Sequence, residues 1–272
     1  VICSLCPDIP TNEGSFRPIR VTAPEGCIFN ARRPVAVSGR HLTGHFTPNA
    51  VLGALAQVIP EKVIADSSFI MGSGVDGVDD DGNRFVFFST WYGGMGARPT
   101  KDGLSTTGFP SNLSNTPVEI QENVSPIFIL KKELLQDSGG AGKNRGGLAQ
   151  VMSFKMRTDE PTVLSCMFEK IKFPPCGLQG GQDGVPGSVS VNETITPHPK
   201  KSYTLSPGDV VTLNQAGGGG FFPPEERDPE LVLKDIIEGY VSIEAARKVY
   251  GVVVNPVDMI IDMGATYMRR SR

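Results

Sequence analysis

A loop rich in glycine and charge is the first place in the sequence where chemistry is expected. Residues 89–110, STWYGGMGARPTKDGLSTTGFP, place Arg98, Lys101 and Asp102 among glycines and hydroxyl side chains, between two apolar segments. Basic side chains and backbone amides in such a loop can hold a phosphate, and the same groups can line a substrate pocket. The third interpretation is a turn that Asp102 fixes by pairing with Arg98 or Lys101.

Two histidines four residues apart form the second candidate. In GRHLTGH, Arg40 precedes His41, and His45 follows four residues after His41. Such a pair binds one metal ion when both residues lie on one face of a helix. Here Gly44 and the predicted helix cap at Thr47 favour a loop, so these residues do not predict a metal site. Substrate binding and structural hydrogen bonding remain the alternatives for the two histidines.

Three glycine-rich motifs fall short of nucleotide-binding loops. GSGVDG matches G-x-G-x-x-G, but VDDDGN follows it and places carboxylates where a pyrophosphate would sit. SGGAGKNRGG lacks the Ser or Thr that follows the lysine of a P-loop, and a predicted strand rather than a helix comes next. QAGGGGFF allows close approach of the backbone to another surface. The sequence contains no G-x-S-x-G motif either, so it predicts no self-sufficient catalytic site.

Composition excludes several classes of partner. The chain has 26 basic and 29 acidic residues, a formal net charge of −3, which provides no basic field for nucleic acid. No apolar run approaches the roughly 20 residues that cross a bilayer, so we expect no membrane partner and a cytoplasmic location. Five cysteines are too few and too scattered for a disulfide framework. Cys3 and Cys6 have CxxC spacing but no second pair, which favours a structural role.

The elements that must position these residues are mainly short strands. With 32 glycines and 22 prolines the chain predicts many tight turns, and the fold class is α+β, strand-rich with several short helices and a helical C-terminal end. Residues 1–272 are treated as one domain. Strands are predicted over residues 15–38 and in the following segments: NRFVFFSTW, VEIQ, SPIFIL, AQVMSFKM, TVLSCMFE, GSVSV and DVVTL.

Capping residues predict three helices. Thr47 as N-cap and Pro48 at the first position predict a helix that ends near Pro60. The pair Asp228–Pro229 predicts a second helix, and a third begins at Ser242.

Taken together, five motifs resemble the C-terminal half of the hydantoinase B family. They are PTNEGSFRPIRVTAPEG with GRHLTGH, then GGMGARPTKDGLS, DSGGAGKNRGG and the long GGGGFFPPEERDPELVLKDIIEGYVSIEAARKVYG. They occur in the family's order and cover nearly the whole chain. The family includes the B-type subunits of ATP-dependent N-methylhydantoinases, the matching half of 5-oxoprolinase, and subunits of acetone and acetophenone carboxylases.

The resemblance implies an enzyme that works as an assembly. An A-type partner, an ATPase, binds ATP and Mg and phosphorylates an oxygen of the small-molecule substrate, and the B-type subunit handles ring opening of a cyclic amide. The alternatives are a ketone carboxylase subunit of the acetone or acetophenone type and a non-catalytic assembly module. The family's divalent metal, Zn or Mn, is expected on the N-terminal half of the B-type subunit. We therefore expect that half as a partner of this chain, and no metal bound by this chain alone.

The family's pocket carries over to six residues of this sequence. Arg40, His41 and His45 are expected to face substrate or the partner half. Arg98, Lys101 and Asp102 are expected at the edge of the same pocket; these six residues are the substrate-binding candidates. The sequence begins VICSLCPDIP, and we expect a fragment, a cleavage product or a naturally split subunit.

Overall fold

The fold is described by a computed structural model that covers residues 1–37, 39–69, 71–113 and 115–271. The chain divides into two units, Val1–Val63 and Ile64–Arg272. The treatment of residues 1–272 as one domain stays a prediction.

The first unit contains helices and turns, and no strand among its described residues. Its helices are α1 (Ile2–Leu5), α2 (Glu13–Phe16) and α3 (Arg40–Leu55), followed by a 3₁₀ turn at Pro60–Lys62. The strands predicted over residues 15–38 are wrong for the described part, which holds α2 and turns, and Ser38 lies outside the described residues. Prolines lack the backbone donor that a paired strand needs, and several of them interrupt this stretch of the chain. The side chain of Cys3 also lies outside the described part, so the CxxC interpretation stays a prediction.

Helix α3 begins well before its predicted cap at Thr47. Its first residue is Arg40, and Pro48 therefore lies inside the helix rather than at its first position. A proline ring inside a helix crowds the carbonyl of the residue four positions earlier, which here is Gly44. The N-cap prediction was wrong because Thr-Pro is a helix-start signal only when the preceding residues are not themselves helical.

The second unit contains two four-stranded antiparallel sheets. The first sheet consists of β1 (Met71–Val78), β2 (Arg84–Trp91), β5 (Thr162–Met167) and β7 (Ser202–Leu205), in the order β2-β1-β5-β7. The second consists of β3 (Ile127–Leu134), β4 (Gln150–Met156), β6 (Ser188–Val191) and β8 (Val210–Asn214), in the order β3-β4-β8-β6. Apart from VEIQ and residues 15–38, each predicted strand overlaps one of these.

Both sheets contribute to one hydrophobic core. Phe87 and Leu164 from the first sheet pack in the same cluster as Met152, Phe154 and Met156 from β4. The alternation in AQVMSFKM therefore predicted the inward face of β4 correctly. Packing in this core holds the end of β2, from which the loop with Arg98, Lys101 and Asp102 starts.

Two local motifs show how far the sequence pattern was informative. GSGVDG lies in strand β1, where Gly72 and Gly74 pack under the ring of Phe88 on the neighbouring strand. This placement agrees with the exclusion of a dinucleotide loop. VEIQ forms a helix, α4 (Val118–Val124), instead of the predicted strand. Its apolar residues are only two, so the short alternation does not distinguish a strand from one helical turn.

The C-terminal part of the second unit is helical, as predicted. It consists of α5 (Pro229–Ile237), α6 (Ile243–Lys248), a hairpin of β9 (Val254–Asn255) and β10 (Ile260–Ile261), and α7 (Met263–Arg270). Asp228 and Ser242 cap α5 and α6 through their side chains, which confirms both predicted starts. The fold class α+β is thereby confirmed. Among the described residues, no helix is long and apolar enough to cross a membrane.

Extended glycine segments pack side by side next to the sheets. We call them the glycine bundle, and it consists of residues 93–97, 138–147, 177–184 and 216–221. Backbone hydrogen bonds join neighbouring segments, for example from Gly147 N to Met95 O at 2.8 Å and from Gly218 N to Gly147 O at 2.9 Å. A Cβ on Gly217 would lie 1.7 Å from the carbonyl oxygen of Ser138. The glycines of SGGAGKNRGG, predicted as a turn, are therefore packing residues that let backbones touch, and so are those of QAGGGGFF, which were predicted to allow close backbone approach.

Candidate functional site

The candidate loop leaves strand β2, runs through the glycine bundle and then turns. Arg98 and Lys101 face each other across this turn, where Arg98 N donates to Lys101 O at 2.9 Å. The Arg98 guanidinium is half-buried and donates to the backbone carbonyl of Asp102 at 2.9 Å. Lys101 is exposed. The loop thus presents one hydrogen-bonded and one exposed cation on the same turn.

Asp102 does not pair with either of these cations. Its two carboxylate oxygens accept hydrogen bonds from the two terminal nitrogens of Arg227, each at 2.8 Å. The backbone N–H of Arg145 donates to the same carboxylate at 2.6 Å. Asp102 therefore fixes the turn, as one interpretation of the sequence held, but through a partner that the sequence did not indicate.

Arg227 is the centre of a buried charge network. It also contacts Asp235 of α5 at 2.8 Å, and Asp235 in turn accepts from the guanidinium of Arg145 at 3.2 Å. We call Asp102, Arg145, Arg227 and Asp235 the charge network. The side chains of Arg227 and Asp235 are only 2% and 7% exposed, whereas that of Asp102 is 33% exposed. Two positive and two negative charges cancel, which is the condition for burying them.

The network determines the protonation state of Asp102. Burial alone would raise the pKa of its carboxyl, but the hydrogen bonds and positive charge of Arg227 outweigh burial and hold that pKa below its ordinary value. The pKa of Arg227 is raised by its two carboxylate partners although burial opposes the charged form. Asp102 is consequently ionised at neutral pH and cannot act there as a proton donor.

A small cavity adjoins the charge network. It has a volume of about 210 Å³ and is lined among others by Arg145, Asp137, Asp183, Tyr240 and Tyr250. The guanidinium of Arg145 stacks on the ring of Tyr240 at 5.3 Å. The carboxylates of Asp137 and Asp183 accept hydrogen bonds from the backbone N–H groups of Ser242 and Gly177, respectively. These contacts hold the loops around the network in place.

The remaining candidates lie on helix α3 of the first unit. His41 and His45 are one turn apart on this helix, so the prediction that they lie in a loop was wrong. Burial and the neighbouring His41 lower the pKa of His45, which favours its neutral form. Arg40 lies at the first position of α3 and lines a groove of the first unit. The structure thus brings the six candidates together in two groups of three, one in each unit.

The donor groups present in the chain decide whether a metal fits. Within the described part of the chain, no group of three or more His, Cys, Asp or Glu side chains is arranged to hold a metal ion. The described residues therefore do not fit a resident metal. The expected metal on the other half of the B-type fold stays a prediction.

The sequence missed Arg145, Arg227 and Asp235. Each occurs inside a quoted motif, KNRGG, EERDPE or LKDII, but their pairing joins positions as far as 125 residues apart. The available signal was weak: Arg145 stands in a glycine-rich motif that resembles a turn, Arg227 stands just before the predicted helix, and Asp235 is one of several charged residues within that helix. Only the packing of α5 against the glycine bundle brings these charges together.

Comparison with known proteins identifies the family. The chain belongs to the hydantoinase B/oxoprolinase family, whose model matches residues 1–224. This confirms the resemblance seen in the five motifs. The family match covers both candidate groups and ends within the segment that leads to Arg227.

Three curated relatives agree with the family match. The uncharacterized protein MJ0963 of Methanocaldococcus jannaschii is 37% identical over 267 residues, which are 96% of this chain and 46% of that protein. A putative D-/L-hydantoinase B-type subunit of Pseudomonas sp. strain NS671 is 30% identical, with 93% of this chain and 43% of that protein covered. The beta subunit of caprolactamase from Pseudomonas jessenii is 30% identical, with 96% and 48% covered. The chain thus spans less than half the length of these relatives.

Two solved structures share the fold. The ATP-dependent caprolactamase from Pseudomonas jessenii matches with a TM-score of 0.84 at 26% identity, over 100% of this chain and 50% of that chain. A nucleotide-free acetone carboxylase matches with a TM-score of 0.67 at 21% identity, over 80% of this chain and 34% of the other. The second likeness is evidence of a common fold alone.

Proposed function

We propose that this chain is part of the B-type subunit of an ATP-dependent cyclic-amide hydrolase that opens a hydantoin, oxoproline or lactam ring. The observation that carries the proposal is the match to caprolactamase, which covers the whole chain at a TM-score of 0.84. Two curated relatives at 30% identity are named as subunits of a hydantoinase and a caprolactamase. The chain would act with an A-type ATPase partner and with the other half of the B-type fold.

The chemistry explains why such an enzyme uses ATP. The oxygen of an amide is a poor leaving group and the amide carbon is a poor electrophile. Transfer of a phosphoryl group from ATP to that oxygen by the ATPase partner gives an imidate phosphate, whose ring carbon is open to attack by water. The ring C–N bond then breaks, with a proton going to the nitrogen, and hydrolysis of the resulting acyl phosphate releases phosphate and the open-chain acid. ATP and Mg are assigned to that partner, and no step is assigned to a metal in this chain, since its described residues do not fit one.

The proposed contribution of this chain is to bind the anionic, phosphorylated substrate. Arg98 offers donors from a planar guanidinium, and its hydrogen bond to the Asp102 carbonyl orients that plane. Lys101 supplies a mobile point charge on the same turn. Asp102 is a positioning residue rather than a catalytic one, because Arg227 occupies both of its oxygens. The charge network thereby holds the two cations on a rigid base.

Substrate-stimulated ATP turnover of the purified complex tests the proposal. We expect stimulation by a hydantoin, by 5-oxoproline or by caprolactam, and none by a ketone with bicarbonate. Stimulation by the ketone with bicarbonate and by none of the three amides would establish the carboxylase alternative instead. The readout is phosphate release per complex.

Single substitutions test the binding role. Arg98→Ala and Lys101→Ala are each expected to reduce amide-stimulated turnover about tenfold or more, which corresponds to about 1.4 kcal/mol. Lys131→Ala is the matched control, because Lys131 is an exposed lysine of β3 in a surface pair with Glu133. If both variants assemble and turn over at the parent rate, the turn with Arg98 and Lys101 has no role in the pocket.

A non-catalytic assembly role is the second candidate. It is supported by Asp102, whose carboxylate stabilises the fold instead of facing a ligand, and by the donor sets of the described residues, none of which fits a metal. In that case Arg227 variants would weaken assembly in proportion to their loss of stability. Arg98 and Lys101 variants would leave turnover unchanged.

A further inference from the structure

The first unit presents an unusual amount of apolar surface. Among its described residues, only Leu52 and Val63 are buried hydrophobic side chains. Exposed large apolar side chains are far more numerous: Ile9, Phe16, Ile19, Val21, Ile28, Phe29, Val35, Val37, Val51 and Val58. A segment of about 60 residues must bury much of its surface to be stable, and soluble proteins rarely leave large apolar patches open. The first unit is therefore expected to bury part of this surface against another protein surface.

Part of that surface forms a groove with a definite shape. The apolar groove is lined by the turn Cys27–Phe29, by Val35 and Val37, and by Arg40 at the start of α3. Its volume is about 610 Å³. Ile28 and Phe29 are 73% and 59% exposed. Arg40 is the one charged side chain among the described residues that line the groove, so its occupant has to be mainly apolar.

The length of the relatives indicates what that occupant is. The caprolactamase structure matches all of this chain, the first unit included, while this chain accounts for 50% of that chain. The family model likewise begins at residue 1. In the caprolactamase, the first unit therefore occurs together with a second half of similar size that this chain does not match. In the caprolactamase, the unmatched half is therefore present together with the groove and is about as long as the matched half.

We propose that the apolar groove holds an apolar segment from the half of the B-type fold that this chain does not match. The inference rests on the proposed function, because it takes the other half to be present in the working enzyme. Burial of Ile28, Phe29, Val35 and Val37 supplies the affinity, because removing apolar surface from water is favourable. Arg40 lies in the groove, where a carboxylate or a carbonyl of the partner segment can accept its hydrogen bonds.

Site-specific photo-crosslinking in the assembled complex tests the inference. The photoreactive residue p-benzoylphenylalanine replaces Phe29 in one preparation and Val257 in a control preparation. Val257 is 91% exposed and lies in the second unit. We expect the Phe29 crosslink to join a peptide whose sequence aligns with the unmatched half of the caprolactamase relative, whether on the same polypeptide or a separate one. The Val257 control should not give that peptide.

Other crosslinks from Phe29 would overturn the inference. These are a crosslink to a second copy of this chain, a crosslink to the ATPase partner, a crosslink to lipid, or no crosslink at all. A complex that keeps amide-stimulated ATP turnover but crosslinks elsewhere contradicts the docking inference alone. A complex that gives the expected crosslink but no amide stimulation contradicts the proposed function alone.

Limited trypsin digestion provides an independent measurement. Arg32 lies close in sequence to the groove and is exposed, so a docked segment should shield the bond that follows it. In the complex, Phe29→Asp should accelerate cleavage after Arg32 about tenfold or more, because a carboxylate in the groove disfavours an apolar occupant. Thr22→Asp, an equal change of charge at an exposed polar position, should not. Equal cleavage rates in both variants and in the parent would contradict docking at this groove.

Discussion

The carboxylate of Asp102 and the guanidinium of Arg227 meet through two hydrogen bonds of 2.8 Å, although the residues are 125 positions apart. This contact joins the turn that carries Arg98 and Lys101 to the segment that leads into helix α5. Planar, bidentate pairs of this kind are the strong ones because both charges and both donor directions match. The relationship makes the position of the candidate turn depend on the C-terminal helices.

Arg227→Met is expected to destabilise the second unit by about 3–5 kcal/mol, because it leaves two carboxylates without their shared cation. Asp102→Asn should cost less, about 2 kcal/mol, since Asp102 is one-third exposed and Arg227 keeps Asp235. Urea unfolding followed by fluorescence of Trp91, the single tryptophan, measures both changes. Lys248→Met is the control, because its pair with Glu244 is exposed and contributes little to stability. An Arg227 variant no less stable than the Lys248 variant would contradict the structural role of the network.

The same pair should make stability depend on acid pH. The folded pKa of Asp102 lies below its ordinary value, so on acidification the unfolded chain takes up the proton first. The contribution of Asp102 is therefore complete above about pH 4 and is lost as pH falls through the folded pKa. The stability difference between the parent and Asp102→Asn should be constant from neutral pH to about pH 5 and shrink below about pH 4. A difference that stays constant down to about pH 3 would mean that the carboxylate is not stabilised by Arg227.

Sequence patterns predicted the helices and strands better than they predicted the contacts between them. The alternation in AQVMSFKM and the caps at Asp228 and Ser242 are local signals, and the structure confirms all three. VEIQ failed because so short an apolar pattern fits a strand and a helix equally. The Thr47–Pro48 signal failed because α3 already runs through it. In both failures, the window that carried the signal was too short to define the element.

The candidate site was predictable only in part for a related reason. The motifs identified the turn with Arg98, Lys101 and Asp102, but the partner of Asp102 depends on long-range packing. Glycines posed the same problem, since a glycine that permits a turn and a glycine that admits a neighbouring backbone are identical in sequence. Gly217 shows the second case, with the Ser138 carbonyl 1.7 Å from where its Cβ would be.

The thiol of Cys166 is expected to be unreactive toward alkylating reagents in the native protein. It is buried in the core shared by the two sheets, and burial raises the pKa of its thiol to about 11. At about pH 8 only about one molecule in a thousand would carry the reactive thiolate at this position. Iodoacetamide labelling with mass spectrometry should therefore modify the exposed Cys176 and leave Cys166 unlabelled until urea is added. Labelling of Cys166 in the native protein as fast as Cys176 would contradict its position in the core.

Gly217→Ala should be among the most damaging single-methyl changes in the chain. The added Cβ would overlap the carbonyl of Ser138, and the Gly217 segment cannot retreat, because its N–H donates to Val185 O at 3.0 Å. Relief requires separation of two hydrogen-bonded backbones, so we expect a loss of at least about 3 kcal/mol or failure to fold.

Gly264→Ala is the matched control for this change. Gly264 lies in helix α7 with only the carboxylate of Asp262 near the added methyl group, at an ordinary contact distance of 3.5 Å. Alanine favours a helix over glycine by up to about 1 kcal/mol, so this variant should be as stable as the parent or more so. Urea unfolding of the two variants, side by side, separates backbone contact from the general effect of adding a methyl group. If Gly217→Ala unfolds at the same urea concentration as Gly264→Ala, the close packing of the glycine bundle is wrong at that position.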